Sequence, residues 1–487
     1  MSFWEFLQKH YAVLALVSIV VLIPCFWLPR IEAGDLASHS YNAWLVSLVQ
    51  KGSAPGLWIA PQSNNILVDV LLLELGKLIG FSAGEKMVAA LAVLIFVWCA
   101  FAVATVASGR AAWQVLPLLM MFAYGWTFHM GFFNFYFSLG ISFVALATVW
   151  KAQPRRYLLA LLLVPLIWLA HPLGLLWLLA TTAYVLAARR LNAGLHWLLF
   201  GAALAILLVL RVYLHRSYRI QGWQGHFYDL NGTDQLILGA RYPFIVMLVL
   251  LAVAGCTLLH VLQMRGKNVP MTNSFPVALQ LFLAGFLALP FLPDKIWFPQ
   301  FKEPISFICS RFTLAIAVAG CCALASLRPR VLFGVLTGCI AAAYFTLVYQ
   351  DAARTYAMEK QAEVLVAKLP QGARVLTTIY PFRDFRIFTH HVMDRACLGR
   401  CFNIDNYEPA SAQFRLRAAP GNRIVAAKGE DASHMMLGDY VVQGEDLPLW
   451  QVFQCGPTEV DLCLRPVHAG PLLNFIPNEA ERARKLE

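Results

Sequence analysis

The sequence predicts an α-helical polytopic membrane protein with a small α/β domain at its C-terminal end. Three observations carry this. Of the 487 residues, 59% are hydrophobic and 13% charged, and the mean hydropathy is +0.63, outside the soluble globular range. Apolar runs long enough to span a bilayer follow one another from Tyr11 to Tyr349. From Asp351 onward, charged residues and turn residues return.

Candidate spans run over 11–29, 86–108, 113–128, 132–150, 157–171, 173–188, 196–214, 241–263, 275–293, 310–327 and 331–349, about eleven at the expected helix length. The first has Lys9 and His10 before it and the bulky "CFWLPR" after it, so it reads as an uncleaved signal anchor. Residues 64–80 are left out of the count. They carry Asp69, Glu74 and Lys77, which makes a lipid-exposed crossing costly and an amphipathic helix at the interface the better reading.

The formal net charge of +11 would suggest nucleic acid in a soluble protein, but here it first reports topology, because Lys and Arg collect in short cytoplasmic loops. With the N-terminus cytoplasmic, the loops at Arg110, Lys151 to Arg156, Arg189 and Arg190, Arg265 and Lys267, and Arg328 and Arg330 all fall on one side. The tail then lies outside, together with Asp35, His39, His129, Asn134, His171, Arg216, Arg219, Glu303 and Arg311. No nucleic-acid partner is expected.

Two regions follow: a transmembrane part, 1–350, with a structured first outer loop at 30–85, and an extracytoplasmic α/β domain, 351–487. The first outer loop reads as a helix from Asp35 to Lys51, a "KGSAPG" break and the amphipathic segment. The tail opens with a polar helix, "DAARTYAMEKQAEVLVAKL", and continues with the strand-like runs "ARVLTTIY", "DYVVQ" and "VDLCLRP". Of eleven cysteines, seven sit in or beside apolar spans as small hydrophobes. Cys397, Cys401, Cys455 and Cys463 lie in the tail, where an oxidising compartment allows up to two disulfides in any of three connectivities. Their spacing lacks the knuckle pattern of a zinc site.

The candidate chemistry begins at "IEAGDLASHSYNAW". Asp35 and His39 are spaced i, i+4, so on a helix they share a face about 6 Å apart at Cβ. Asp35 also suits a helix N-cap, a role compatible with accepting a proton from a hydroxyl. His171 in "WLAHPLGLLW" interrupts two apolar runs before Pro172 and reads as a satisfied turn residue or an ionisable group of a polar cleft. His129 and Asn134 sit in a tight hairpin, where Asn134 can bond a neighbouring helix or face the same cleft. Arg311, at the start of a late span and near Lys302, is either an interfacial snorkel or a phosphate grip. Arg216 and Arg219 offer a second cationic cluster with the same two readings.

Together these features resemble the GT-C superfamily of integral-membrane glycosyltransferases, which includes protein O-mannosyltransferases and the lipid A aminoarabinose transferase. The likeness rests on the acid after the first span in "EAGDLASH", the structured first outer loop with two interfacial helices, and the arginine entering a late span. It departs from the mannosyltransferase branch in having Glu32 and Asp35 separated rather than adjacent, and "APQSNN" where that branch has a His-Pro-Pro stretch. The "GDxxxH" pattern is closer to bacterial members.

The resemblance implies a cell-envelope enzyme of the bacterial inner (plasma) membrane. It would take a hexose or pentose from a polyprenyl-phosphate carrier to a glycolipid, polysaccharide or protein acceptor, with inversion. Asp35 would be the general base, and Arg311, with Arg219 or Lys302, would neutralise the leaving phosphate. His39 and His171 would orient the acceptor, stabilise phosphate or bind a divalent metal; no metal ligand set or cofactor is assigned. Two other classes remain open. A transporter or flippase would place acids and broken helices near the bilayer midplane, and a non-catalytic scaffold would use the spans as an anchor for the tail.

Overall fold

The structure, a computed structural model, describes residues 3–472 except 152, 224, 226, 265–274, 381, 383, 387, 388, 390, 427 and 457. The basic loop at Arg265 and Lys267 lies outside the described residues. Helix α1 (Phe3–Phe26) leads through a short extended stretch into α2 (Gly34–Gln50). Strand β1 (Leu57–Ile59), α3 (Leu67–Ile79) and the long α4 (Phe81–Ser108) follow.

The expected span at 113–128 is broken. A 3₁₀ turn at Trp113–Val115 enters α5 (Leu116–Ala123), and α6 (Trp126–His129) starts after a bend at Tyr124 and Gly125. The bend has a steric cause, since a Cβ on Gly125 would lie 2.8 Å from the carbonyl oxygen of Gln235. The buried Gln235 side chain then accepts from the Thr127 N–H at 3.0 Å, serving the first turn of α6.

The chain continues through α7 (Phe133–Val149), α8 (Pro154–Ala170) and α9 (Pro172–Ala188). Only His171 separates α8 from α9, because Pro172 has no N–H to continue the helix and suits the first turn of a new one. Next come α10 (Ala193–Ser217), β2 (Arg219–Gly222), α11 (Pro243–Met264) and α12 (Phe275–Ala288). Strand β3 (Pro293–Trp297) pairs antiparallel with β2 and precedes α13 (Ile308–Ser326) and α14 (Val331–Val366).

Among the described residues, six helices are long and apolar enough to cross a membrane, and four shorter apolar helices accompany them. The apolar stretch of α10 buries none of its residues, so Ile206 and Val209 face outward as lipid contacts do. The protein is an α-helical membrane protein. Helix α7 is buried nearly all round and packs on α4, α8 and α9, while α13 packs on α4 and α12.

Helix α14 runs for 36 residues, so the expected boundary at 350/351 falls inside it. No Gly or Pro interrupts it after Cys339, and its polar end carries on as the expected tail helix. Beyond it lie β4 (Arg374–Thr378), α15 (Val392–Cys397), β5 (Phe402–Asn403), α16 (Glu408–Ser411) and β6 (Leu416–Ala418). Then follow α17 (Gly429–Leu437), β7 (Val441–Val442), β8 (Trp450–Gln454), β9 (Leu462–Pro466) and β10 (Gly470–Pro471).

Strands β5, β4, β8 and β9 form one sheet in that order, with β4 parallel to β5 and β8 and β9 antiparallel to β8. Two contacts tie this region to the first loop. Strand β1 pairs with β6, Leu57 opposite Ala418, and one continuous core runs from Phe96 and Phe143 through Tyr344 to Val375 and Met393. Cys397 is bonded to Cys401, and Cys455 to Cys463.

Candidate functional site

The site is built where α2 begins. The hairpin between α6 and α7 holds that start, with the Asp35 N–H donating to the Met130 carbonyl at 3.0 Å. The approach needs a glycine: Gly131 has φ +83°, and a Cβ there would lie 2.5 Å from the Asp35 nitrogen. Asp35 is not the N-cap that its position suggested. Ala33 holds that place and makes no side-chain cap, while Met130 already serves the Asp35 N–H, so the Asp35 carboxylate is left for other work.

That carboxylate faces the tail. His391 Nε2 lies 3.5 Å from Asp35 Oδ1, and His391 Nδ1 lies 2.7 Å from Asp394 Oδ2. Asn403 Nδ2 donates to Asp394 at 2.8 Å, and the Asn403 N–H donates to the Tyr41 hydroxyl of α2 at 2.9 Å. One turn further along α2, His39 Nδ1 lies 2.7 Å from Asp69 of α3. Glu408 accepts from Ser38 and Asn42 of α2, and Asn406 Nδ2 donates to the Asn42 side chain at 2.8 Å. The Tyr407 ring stands 5.8 Å from His391.

Electrostatics follow from this packing. Burial works against a charged His39, but Asp69, with Glu408 and Asp35, outweighs it and pushes the imidazole up to about 9. Burial likewise opposes a charged His391, yet Asp394, Asp35 and Glu408 push it up to about 9. Burial lifts Glu408 to about 7 against the pull of His39 and His391. Both histidines titrate above their ordinary value of 6.5, so their contribution to stability is fully present below about pH 6.5 and is lost as pH rises through about 9. Thermal unfolding measured between those limits is expected to fall steadily with pH, and replacing both His39 and His391 with Gln should flatten the slope.

The other expected residues divide into two groups. Arg311, in the first turn of α13, lays its guanidinium 4.0 Å over the Phe132 ring of the same hairpin and lies within electrostatic reach of Asp35, Asp294 and Tyr407. Its Nε is buried with no hydrogen-bond partner among the described residues. His171 accepts from the Leu173 N–H through Nδ1 at 3.1 Å, capping α9, and lies within electrostatic reach of Arg311. Asp35 and Arg311 therefore meet one hairpin, with His171 against Phe135 of α7 and His39 one turn away along α2.

His129 and Asn134 belong to the hairpin as braces. His129 Nδ1 meets the Glu32 carbonyl at 3.0 Å, while Asn134 accepts from the Val68 N–H at 2.9 Å and donates to the Asn65 carbonyl at 3.3 Å. Asn134 thus supplies the cap that the start of α3 lacks in its own sequence. Asn134→Ala is expected to cost about 0.5–2 kcal/mol, read as a lower unfolding temperature. Arg219 and Lys302 are exposed. Arg219 stacks 4.5 Å over Trp297 in the β2–β3 pair, and the Lys302 N–H donates to the Ser411 carbonyl at 3.1 Å.

Sequence reasoning missed His391, Asp394, Arg395, Tyr407 and Glu408. The signal was there in "HHVMDRAC", whose His391 and Arg395 are one helical turn apart and both buried. Among the described residues, no three His, Cys, Asp or Glu side chains are grouped as a metal set.

Two hollows adjoin the site. A small cavity of about 20 Å³ is lined by Glu32, Gly34, Thr355, Glu359 and His391, with Phe385 in its wall. Phe385 also lines an apolar groove of about 790 Å³ that runs along α11 past Pro243, Val246, Met247, Leu250 and Leu251, with Asp384 and Arg386 in its lining. No family model matches the chain, and no curated protein or solved structure matches it either.

Proposed function

We propose that the protein is a membrane glycosyltransferase of the GT-C kind. It moves a sugar from a polyprenyl-phosphate carrier to an acceptor hydroxyl at the outer face of a bacterial inner membrane. One observation carries the reading: Asp35, kept out of capping, turns its carboxylate toward His391 within electrostatic reach of the half-buried Arg311. A positioned carboxylate and a nearby cation are what displacement of a phosphate from an anomeric carbon requires.

In the reaction, the acceptor O–H gives its proton to Asp35 and the acceptor oxygen bonds the anomeric carbon. The bond from that carbon to the phosphate oxygen breaks, and its electrons leave with the phosphate, which Arg311 neutralises. His39 and His171 stand beside the reacting groups. Arg219 and Lys302, exposed, serve the approach of the carrier phosphate. The groove along α11 fits an isoprenoid tail, being apolar and sharing Phe385 with the cavity at His391.

The topology of the proposal has about eleven crossings with a cytoplasmic N-terminus. The Arg110 guanidinium donates to the Pro329 carbonyl at 3.4 Å, which supports two of the basic loops lying on the same side. The disulfides Cys397–Cys401 and Cys455–Cys463 suit a tail in an oxidising compartment.

The test gives membranes containing the protein radiolabelled polyprenyl-phosphate hexoses and pentoses and follows the label. A labelled product of inverted anomeric configuration, absent from control membranes, is the expected result. Label that stays on every carrier would favour the scaffold reading.

A further inference from the structure

Behind Asp35 lies a group of charges that the transfer step does not use. Arg395, on α15, has a side chain 1% exposed and meets Glu359 of α14 at 2.6 Å, Glu85 of α4 at 3.1 Å and Glu32 at 3.9 Å. Three buried carboxylates thus share one guanidinium. The next cation, Arg30, is engaged by Glu363. Full ionisation would leave net negative charge in a site away from water, which proteins avoid by binding a proton.

The three acids are not equivalent. Glu359 accepts two N–H bonds from Arg395, at 2.6 and 2.8 Å, and Glu85 accepts from Ser40 at 2.7 Å besides its contact with Arg395. Glu32 has the longest approach to Arg395, and its Oε1 has no hydrogen-bond partner among the described residues although the side chain is only 5% exposed. Glu32 also borders the cavity of about 20 Å³ that it shares with Thr355, Glu359 and His391, enough for one water. His391, on the far wall, is the group that meets Asp35.

We infer that Glu32 is a proton-binding site: in the working protein it is a carboxylic acid, and its proton reduces the net negative charge of the Arg395 cluster so that α15 holds His391 against Asp35. The groups that set its state come from every element around it. They are Arg30 and Asp35 beside it in the chain, Glu85, Glu359 and Arg395 in the cluster, and His391 across the cavity; His129 binds its carbonyl. Burial and the Glu359 charge hold the Glu32 carboxyl well above the usual carboxylate range, with Arg395 opposing. The unfolded chain releases this proton at the ordinary carboxylate value of about 4.5 while the folded chain keeps it up to the raised value, so stability falls as pH rises from about 4.5 through the raised value, where the proton is lost and a buried charge loosens α15. Only the link to catalysis rests on the transferase reading.

The test uses the full chain in detergent and needs no sugar donor, so it stands or falls apart from that reading. Unfolding temperature is measured from about pH 4 to alkaline pH for wild type and Glu32→Gln, the neutral isostere of the protonated acid. The variant should match wild type at about pH 4, melt no lower than wild type at pH 7, and lose less stability than wild type as pH rises. In infrared spectra at pH 7, wild type should show a buried protonated-carboxyl band that Glu32→Gln lacks. A variant that fails to fold or melts clearly lower at pH 7 would identify Glu32 as an ionised partner of Arg395 and overturn the inference. Parallel pH curves for the two proteins, or no such band in wild type, would overturn it as well.

Discussion

Asp35→Asn is expected to lower sugar transfer by about 10²–10⁴-fold while leaving the fold intact. Asparagine keeps the size of the side chain and removes its capacity to take a proton. The backbone position does not depend on the carboxylate, since the Asp35 N–H is held by Met130 and Ala33 occupies the cap. Among the described residues the carboxylate's ion-pair partner is His391, at 3.5 Å, which Asp394 still holds from the other side. The variant should therefore still fold, with stability lowered by about 0.5–3 kcal/mol because His391 and Arg311 lose a nearby negative charge. Transfer rate and melting, measured on the same preparation, separate a lost base from a lost fold.

Arg395→Ala is expected to be the most destabilising single change in the site, about 3–5 kcal/mol, because it strands buried carboxylates rather than deleting a pair. Glu359 would lose two hydrogen bonds, Glu85 its cationic partner, and the Ile31 carbonyl the 2.8 Å bond it accepts from Arg395. That last bond ties the tail to the stretch before α2, so its loss reaches Asp35. The expected readout is a strongly lowered unfolding temperature and faster proteolysis around α15. An Arg395→Ala protein as stable as wild type would mean that the cluster is already neutral without its arginine.

The parts of the fold that could be read from the sequence are those that local pattern determines. Helix α4 announces itself by an apolar run stopped at Gly109, and the break between α8 and α9 by Pro172. The helical spacing of Asp35 and His39 and the amphipathic α3 follow from period alone. What stayed hidden depends on partners far away in the chain. The bend after α5 exists because Gln235 packs on Gly125, and no window around residue 120 contains that contact. Ser38 meets Glu408 across 370 residues of chain, and β1 is a strand only because β6 lies beside it. The capping preference of Asp35 failed for the same reason, since a hairpin carbonyl took over the N–H that would have needed the cap.

For the candidate site, local sequence supplied the acid and the cation but not the tail that completes it. His391 carries no membrane-length pattern and no motif. Its importance comes from α15 docking on α2, through Asn403 and Tyr41 on one flank and Arg395 on the other.

The central claim is that Asp35 removes a proton from an acceptor as a sugar leaves a lipid phosphate. The most direct measurement is the release of free polyprenyl phosphate, matched to sugar transferred, by purified protein in liposomes, comparing wild type with Asp35→Asn at equal folded concentration. Matched release and transfer by wild type, and almost none by the variant, are expected. Equal rates from the two proteins would contradict it.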